Sequence, residues 1–343
     1  MRSRLWRQVR LADTFSDAAE LLSETVGKPG PGEVVIRQEW AGVNGLFDEA
    51  LCRGDVPYLS TTLPRDLGVE AVGVVLEVGP GVEHLRAGDA VVTSRLGGGY
   101  RSLYRTPVDQ VTAVPSADPR YVALRTSAVS ALLVLEHAAR MGRGETVVIT
   151  AAAGGLGQFL VQFAARAGNE VIGVCSSADK VELLRSLGCA RPVDRTVEDV
   201  GDVIDSEYGG QVPLVVDTVG GPLFDTLLAR LGTRGRLVTA GHSADIGPGR
   251  PVPALAPRVY EHLYWTSASI IGFQNSHYAE HHTEALTRIL DWDAQGLLEV
   301  MIDPTPFEGL EAVPAAVEHL VRGRSQGKVV VRVGDPSEHT AEQ

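Results

Sequence analysis

VVITAAAGGLGQFLVQFAARAG, residues 147–168, decides the fold. A run of β-favouring residues enters a glycine-rich turn, Ala152-Ala153-Gly154-Gly155-Leu156-Gly157, and passes directly into a helix with apolar spacing. A backbone needs this grammar to approach a pyrophosphate. Glycine removes the Cβ, and the helix N-terminus offers N–H groups and the positive end of a dipole. The strict fingerprint is G-x-G-x-x-G, and here Ala152 stands at the first glycine. Alone the string is weak, and a structural tight turn is its other reading. It gains weight because a second strand, NEVIGVCSS (169–177), ends about 20 residues further on.

Outward from this stretch the chain alternates strand and helix. ADKVELLRSLG (178–188) reads as a helix, VPLVVDTVG (212–220) as a strand, PLFDTLLARLG (222–232) as a helix and GRLVTAGH (235–242) as a strand. ASIIGF (268–273) adds a strand, and ALRTSAVSALLVLEHAARMG (123–142) and HTEALTRILDWDAQG (282–296) add helices. Such alternation predicts an α/β doubly wound parallel sheet of the Rossmann type. The first third differs. PGPGEVVIRQEWAGVN (29–44), VEAVGVVLEVGPGV (69–82), AGDAVVTS (87–94) and DQVTAVP (109–115) are β segments between Gly/Pro turns, and GKVVVRV (327–333) is placed with them. The expected division is 1–122 with 295–335 as a β-rich domain, 123–294 as the Rossmann domain, and 336–343 as a disordered tail.

The end of the second Rossmann strand selects the cofactor. An NAD site usually carries Asp or Glu there for the ribose hydroxyls. This chain has Ser176 and Ser177, with Lys180 one helical turn on and Arg195 as a further cation. No carboxylate repels a 2′-phosphate, and hydroxyls with an ammonium suit one, so NADPH is expected. Ser176 or Ser177 capping the next helix is the alternative, and both can hold.

The formal net charge is −12, which argues against nucleic acid or an anionic membrane as partner. Three cysteines without CxxC spacing, Cys52, Cys175 and Cys189, exclude a disulfide framework and a four-cysteine zinc site, and fit a cytoplasmic location. Arg-rich MRSRLWRQVR lacks an apolar stretch after it and does not read as a secretory signal. Lysine occurs only at positions 28, 180 and 328.

Together AGVN (41–44), GVEAVGVV (68–75), VGPGV with AGDAVV (78–92), AAAGGLGQ (151–158) and GKVVV (327–331) resemble the medium-chain dehydrogenase/reductase superfamily. The likeness spans nearly the whole chain and is nearest the quinone oxidoreductase group. VITAAAGGLGQF, VIGVCSSADK, LRSLGCARPV and IIGFQNSHY resemble its 15-ketoprostaglandin reductase branch. The resemblance implies a GroES-like β-barrel domain beside the Rossmann domain, a cleft between them and a homodimer. Zinc-dependent relatives have a histidine before the glutamate of a G-H-E string. Val69 stands there and cannot ligate a metal, so no zinc is expected. His281 and His282 read as solvated side chains.

Without zinc, the expected chemistry is hydride transfer from NADPH to the β-carbon of an α,β-unsaturated carbonyl, or to a quinone. Positioning and a few donors near the developing oxyanion then suffice. A reductase of a specialised ketone, imine or acyl thioester is an alternative, and an NADPH-binding protein without turnover is another. The resemblance places Asn44 near the nicotinamide, although Asn also favours turns. The family's usual tyrosine positions hold Leu51 and Val56, and Tyr58 lies nearby. His277 is a proton-donor candidate or a structural histidine. Val219 and Gly241 follow strands and are assigned to the cofactor, and Phe273 in IIGFQNSHY resembles the family position whose backbone holds the nicotinamide amide. Lys328 contacts the cofactor or a backbone carbonyl. Cys52 is read as non-catalytic.

Overall fold

Along residues 1–245 and 259–334, which this computed structural model describes, the strands are β1 (Arg2–Gln8), β2 (Ala19–Thr25), β3 (Glu33–Gly42), β4 (Arg65–Asp66), β5 (Glu70–Val78), β6 (Ala90–Ser94), β7 (Leu103–Pro107), β8 (Val111–Ala113), β9 (Thr146–Ile149), β10 (Glu170–Cys175), β11 (Arg191–Asp194), β12 (Val212–Asp217), β13 (Leu231–Thr239), β14 (Ser269–Gly272) and β15 (Val330–Arg332). Contacts divide the chain into two units. One is Met1–Thr126 together with the chain from Ile302 onward, and the other is Ser127–Met301. The expected tail, 336–343, lies outside the described residues.

In the second unit six strands pair in the order β11-β10-β9-β12-β13-β14. Every neighbouring pair is parallel. Parallel neighbours require crossovers, and helices supply them: Gly157–Arg166, Ala178–Ser186, Val200–Glu207 and Gly221–Leu228. The order places the first strand of the unit at the centre and reverses direction between β9 and β12. That is the doubly wound Rossmann arrangement with its switch point at the end of β9. Val148, Ile172, Val193, Val215 and Leu237 contribute one residue each from five strands to a fully buried core cluster. Strands buried on both faces read as continuous apolar runs rather than alternating ones, which is why VVI and PLVV announce them.

In the first unit the main sheet runs β15-β3-β5-β6-β8, with β7 also on β3, and a smaller sheet runs β2-β1-β4. These pairings are antiparallel. β15 closes onto β3 with Val330 opposite Gly42. This brings the segment after Gly327 beside AGVN. A helix the sequence reading did not anticipate, Gly45–Arg53, begins at Asn44 and ends on Gly54 in the left-handed region. Its apolar spacing is too short and too mixed with Asp48 and Glu49 to announce itself.

Candidate functional site

The second unit presents one edge. β9 ends at Ile149 and leads to Ala152–Gly157. β10 ends at Cys175 and leads to Ser176, Ser177 and Lys180. β11 ends at Asp194, before Arg195. Val219 follows β12, Gly241 follows β13 and Phe273 follows β14. The sheet is parallel, so all of these positions lie at its carboxyl edge, where open α/β sheets bind ligands.

The turn after β9 is a backbone construction. Ala151 has φ +45°, and Ala152 is fully buried and donates to Val174 O at 3.0 Å. A Cβ at Gly157 would stand 2.3 Å from Ala151 O and 2.6 Å from Ala152 C. Only glycine lets the helix start this close to the strand end. Leu156, the residue before the helix Gly157–Arg166, makes no side-chain capping bond, and the start of a helix carries the positive end of its dipole. The turn after β12 is built by Asp217. This buried carboxylate accepts from Thr150 Oγ1 at 2.6 Å, Val219 N at 3.0 Å and Gly220 N at 2.9 Å, and so fixes Val219.

After β10, Ser177 is the cap residue of the helix Ala178–Ser186, yet its side chain makes no capping bond. The capping reading therefore accounts for its backbone and not for its hydroxyl. Ser176 and Lys180 are half-buried and Arg195 is exposed. Arg195 N donates to Cys175 O at 3.1 Å, which joins the two strand ends. Phe273 N donates to Thr239 O at 3.0 Å, extending the sheet, and its ring stacks on Tyr278 at 5.1 Å.

The first unit holds a network of buried charge. Lys328, 3% exposed, forms an ion pair with buried Glu70 and donates to Val43 O at 3.0 Å and Asn44 Oδ1 at 3.1 Å. Its three N–H groups thus have three acceptors within its own unit, so the structure gives it the backbone-carbonyl contact and adds two side chains. Asn44 Nδ2 donates to Glu70 Oε1 at 3.1 Å. The amide is oriented by its surroundings, with oxygen on the ammonium and nitrogen on the carboxylate. Asn44 is also the residue before the helix Gly45–Arg53, but its side chain makes no capping bond there. A Cβ on Gly42 would fall 2.4 Å from Glu70 Oε1, so the Gly of AGVN is the space in which the glutamate sits.

The network continues to Asp48, Tyr100 and Arg125, none of which the sequence reading named. Tyr100, fully buried, donates its hydroxyl to Asp48 Oδ2 at 2.6 Å, and Asn44 N donates to the same oxygen at 3.2 Å. The other oxygen, Asp48 Oδ1, is buried with no hydrogen-bond partner among the described residues. Burial raises the Asp48 carboxyl to about 6, against the lowering effect of its hydrogen bonds. Burial also raises the Tyr100 phenol well above its ordinary value and lowers the Arg125 guanidinium.

Other candidates lie elsewhere. Tyr58 is 54% exposed. His277 is exposed on a 3-10 segment, where its backbone N–H donates to Gln274 O at 2.9 Å. The solvated reading of His281 and His282 is corrected. His281 stacks on His137 at 3.9 Å, and His282 Nε2 lies 2.6 Å from Asn275 Oδ1. A helix that packs beside another chain segment gives adjacent histidines ring and amide partners, which spacing does not show. Cys52 is fully buried, and burial pushes its thiol up to about 12, the opposite of a reactive cysteine. Among the described residues no three His, Cys, Asp or Glu side chains are grouped to hold a metal ion. Among them, too, no helix is long and apolar enough to cross a membrane.

Comparison with known proteins gives the same two parts. Residues 30–116 match the alcohol dehydrogenase GroES-like domain, and residues 155–289 match the family described as zinc-binding dehydrogenase. Prostaglandin reductase-3 of Mus musculus is 33% identical over 336 residues, covering 95% of this chain and 88% of the relative. A probable quinone oxidoreductase of Leishmania amazonensis is 30% identical over 330 residues, covering 95% and 96%. A mycobacterial protein solved in complex with NADPH superposes with a TM-score of 0.82 at 26% identity, over 96% of this chain and 99% of that one.

Proposed function

The chain is an oxidoreductase of the medium-chain dehydrogenase/reductase superfamily, with quinone oxidoreductases and prostaglandin reductases as relatives, and on that premise we propose that it is an NADPH-dependent, zinc-independent reductase of α,β-unsaturated carbonyls or quinones. The observation that carries the cofactor is the single carboxyl edge on which the glycine turn, Ser176, Ser177, Lys180 and Arg195 all fall. The turn and the uncapped helix start would hold the pyrophosphate. The two hydroxyls and two cations would hold the 2′-phosphate. Val219, Gly241 and Phe273 would line the path of the nicotinamide half. Bound there, NADPH supplies a hydride to the β-carbon of the activated alkene or to the quinone.

On the acceptor side, Asn44 is the group we assign to the developing oxyanion. An amide nitrogen has two N–H donors. Glu70 takes one and Lys328 fixes the oxygen. These two contacts set the direction of the second N–H, which is the form an oxyanion donor requires. Lys328 is therefore a positioning residue. Tyr58 and His277 are both exposed, and water suffices as the proton source for the enolate. Zinc-independence rests on Val69, which has no donor atom, and on Glu70, which is committed to Lys328.

The test is loss of nicotinamide absorbance, with chelator present, against enones, quinones, ketones and imines. NADPH-selective turnover of enones or quinones is the expected result. NADPH binding without oxidation by any acceptor would overturn it. Lys180→Ala should weaken NADPH binding about tenfold or more and leave NADH binding nearly unchanged.

We further propose a homodimer through the outer edge of β14, the last strand of its sheet. Tyr264 and Trp265, just before it, are 74% and 75% exposed. Among the described residues no strand pairs with that edge, and an unpaired edge beside exposed aromatics would allow β14 to pair with its own copy about a twofold axis. Solution mass by light scattering checks this, and a monomer at micromolar concentration contradicts it.

A further inference from the structure

The first unit contains an open cavity of about 680 Å³ whose lining includes Arg7, Arg65, Arg95, Arg101, Arg105 and Asp66. Five guanidiniums around one space are unexpected in a chain of net charge −12. Two of them are neutralised. Arg7 binds Asp66 at 2.6 Å and Glu24 at 2.9 Å, and Arg101 pairs with the same two carboxylates. Arg105 reaches Glu33 only at 3.6 Å. Arg65 and Arg95 have no carboxylate partner among the described residues. Arg65 donates to Ser60 O, and partial burial lowers its guanidinium from the ordinary value. Two cations therefore share this lining with Asp66 but have no carboxylate of their own among the described residues. With Arg7 and Arg101 matched by Asp66 and Glu24, the lining keeps a positive excess, and a concave surface with such an excess focuses its field on an anion.

The cavity is tied to the Asn44 network through the backbone. Arg95 is the residue after β6, and its N–H donates to Val69 O at 2.6 Å. Val69 precedes Glu70, and Glu70 is paired across the sheet with Ser94 and accepts from Asn44. The arginine-lined space thus begins one residue from the strand pair that anchors the oxyanion donor. We propose that the acceptor carries an anionic group, a carboxylate or a phosphate, and that Arg95 and Arg65 receive it. This rests on the reading of Asn44 above and names the substrate class of that site. Guanidinium forks match either anion in two parallel hydrogen bonds, which would orient as well as attract.

The test uses trans-4-oxopent-2-enoate and its methyl ester, which share the reacting atoms and differ in one negative charge. With NADPH, the acid-over-ester ratio of kcat/KM should fall about tenfold or more in Arg95→Gln, through the KM of the acid. It should hold in Arg322→Gln, a control on an exposed arginine outside the cavity. An unchanged ratio in Arg95→Gln overturns the proposal. A second arm does not depend on turnover: calorimetric titration of succinate and of inorganic phosphate into the full chain. Arg95-dependent binding of either anion supports the site even if neither enone is reduced, in which case the enone reading fails alone. Preference between the two anions separates a carboxylate acceptor from a phosphorylated one. Absence of binding together with a charge-blind ratio overturns the anion site.

Discussion

The turn after β9 and the cluster around Asn44 are built by opposite means. The turn is backbone alone: glycines, a buried alanine and a helix start, with no charged side chain in it. The cluster is built chiefly from side chains, Asn44, Asp48, Glu70, Tyr100 and Lys328, with two carboxylates, an ammonium and a phenol taken out of water. A backbone cradle is stiff and indifferent to what lies beyond the phosphates. A buried charge network is costly to assemble, and each member depends on the others. The first suits a cofactor common to many enzymes, and the second suits an orienting role for one amide.

The strongest way to break this contrast is Lys328→Met. It leaves Glu70 buried and unpaired, and the loss of stability should be about 3–5 kcal/mol by chemical denaturation. Glu70→Leu in the same chain should recover most of that stability without recovering activity, because Asn44 then has no anchor. Recovery of both would reduce the network to packing. Gly157→Ala probes the other region. Its methyl would enter the 2.3 Å gap to Ala151 O, and NADPH affinity should fall about 100-fold, roughly 2.7 kcal/mol. Unimpaired binding in a fluorescence titration would mean the turn yields, and is no rigid cradle.

A smaller effect distinguishes a costly charge from a stabilising one. Burial raises the Asp48 carboxyl from 3.8 to about 6. The folded chain therefore holds this proton more tightly than the unfolded chain, and stability from this group falls as pH rises from about 4 to about 6. The full loss is about 3 kcal/mol, of which about 1 kcal/mol lies between pH 5.5 and pH 8. Asp48→Asn has no such proton, so the stability of the natural chain minus that of the variant should drop by that last amount over the same range. A constant difference would show that the Tyr100 hydrogen bond outweighs burial. Least of all, Tyr58→Phe should change stability by under about 0.5 kcal/mol, as for other exposed positions, and leave kcat/KM within about twofold. A large fall in kcat alone would restore Tyr58 as a proton donor.

The same contrast governs what could be read from the sequence. The turn and its strands are local: VVIT, Gly154, Gly155 and Gly157 lie within a dozen residues, and period and glycine placement expose them. The carboxyl-edge residues follow once the strands are assigned. The Asn44 cluster is assembled across the chain. Lys328 meets Val43 over 285 positions, and Tyr100 meets Asp48 over 52. No periodicity marks Tyr100 within GGGYRS or Asp48 within GLFDE. AGVN and GK stood out singly, but their pairing required β15 to close onto β3. The arginine-lined cavity was equally hidden, since its lining comes from residues 7, 64–66, 95–97, 101 and 104–107.

Where the hydride lands is the most direct test of the account. NADPH carrying deuterium at the transferable nicotinamide position would be incubated with 4-phenylbut-3-en-2-one, and the product followed by NMR. One deuterium on the β-carbon of the saturated ketone is the predicted result. Deuterium on the carbonyl carbon of an alcohol, or no transfer with NADPH bound, would contradict it.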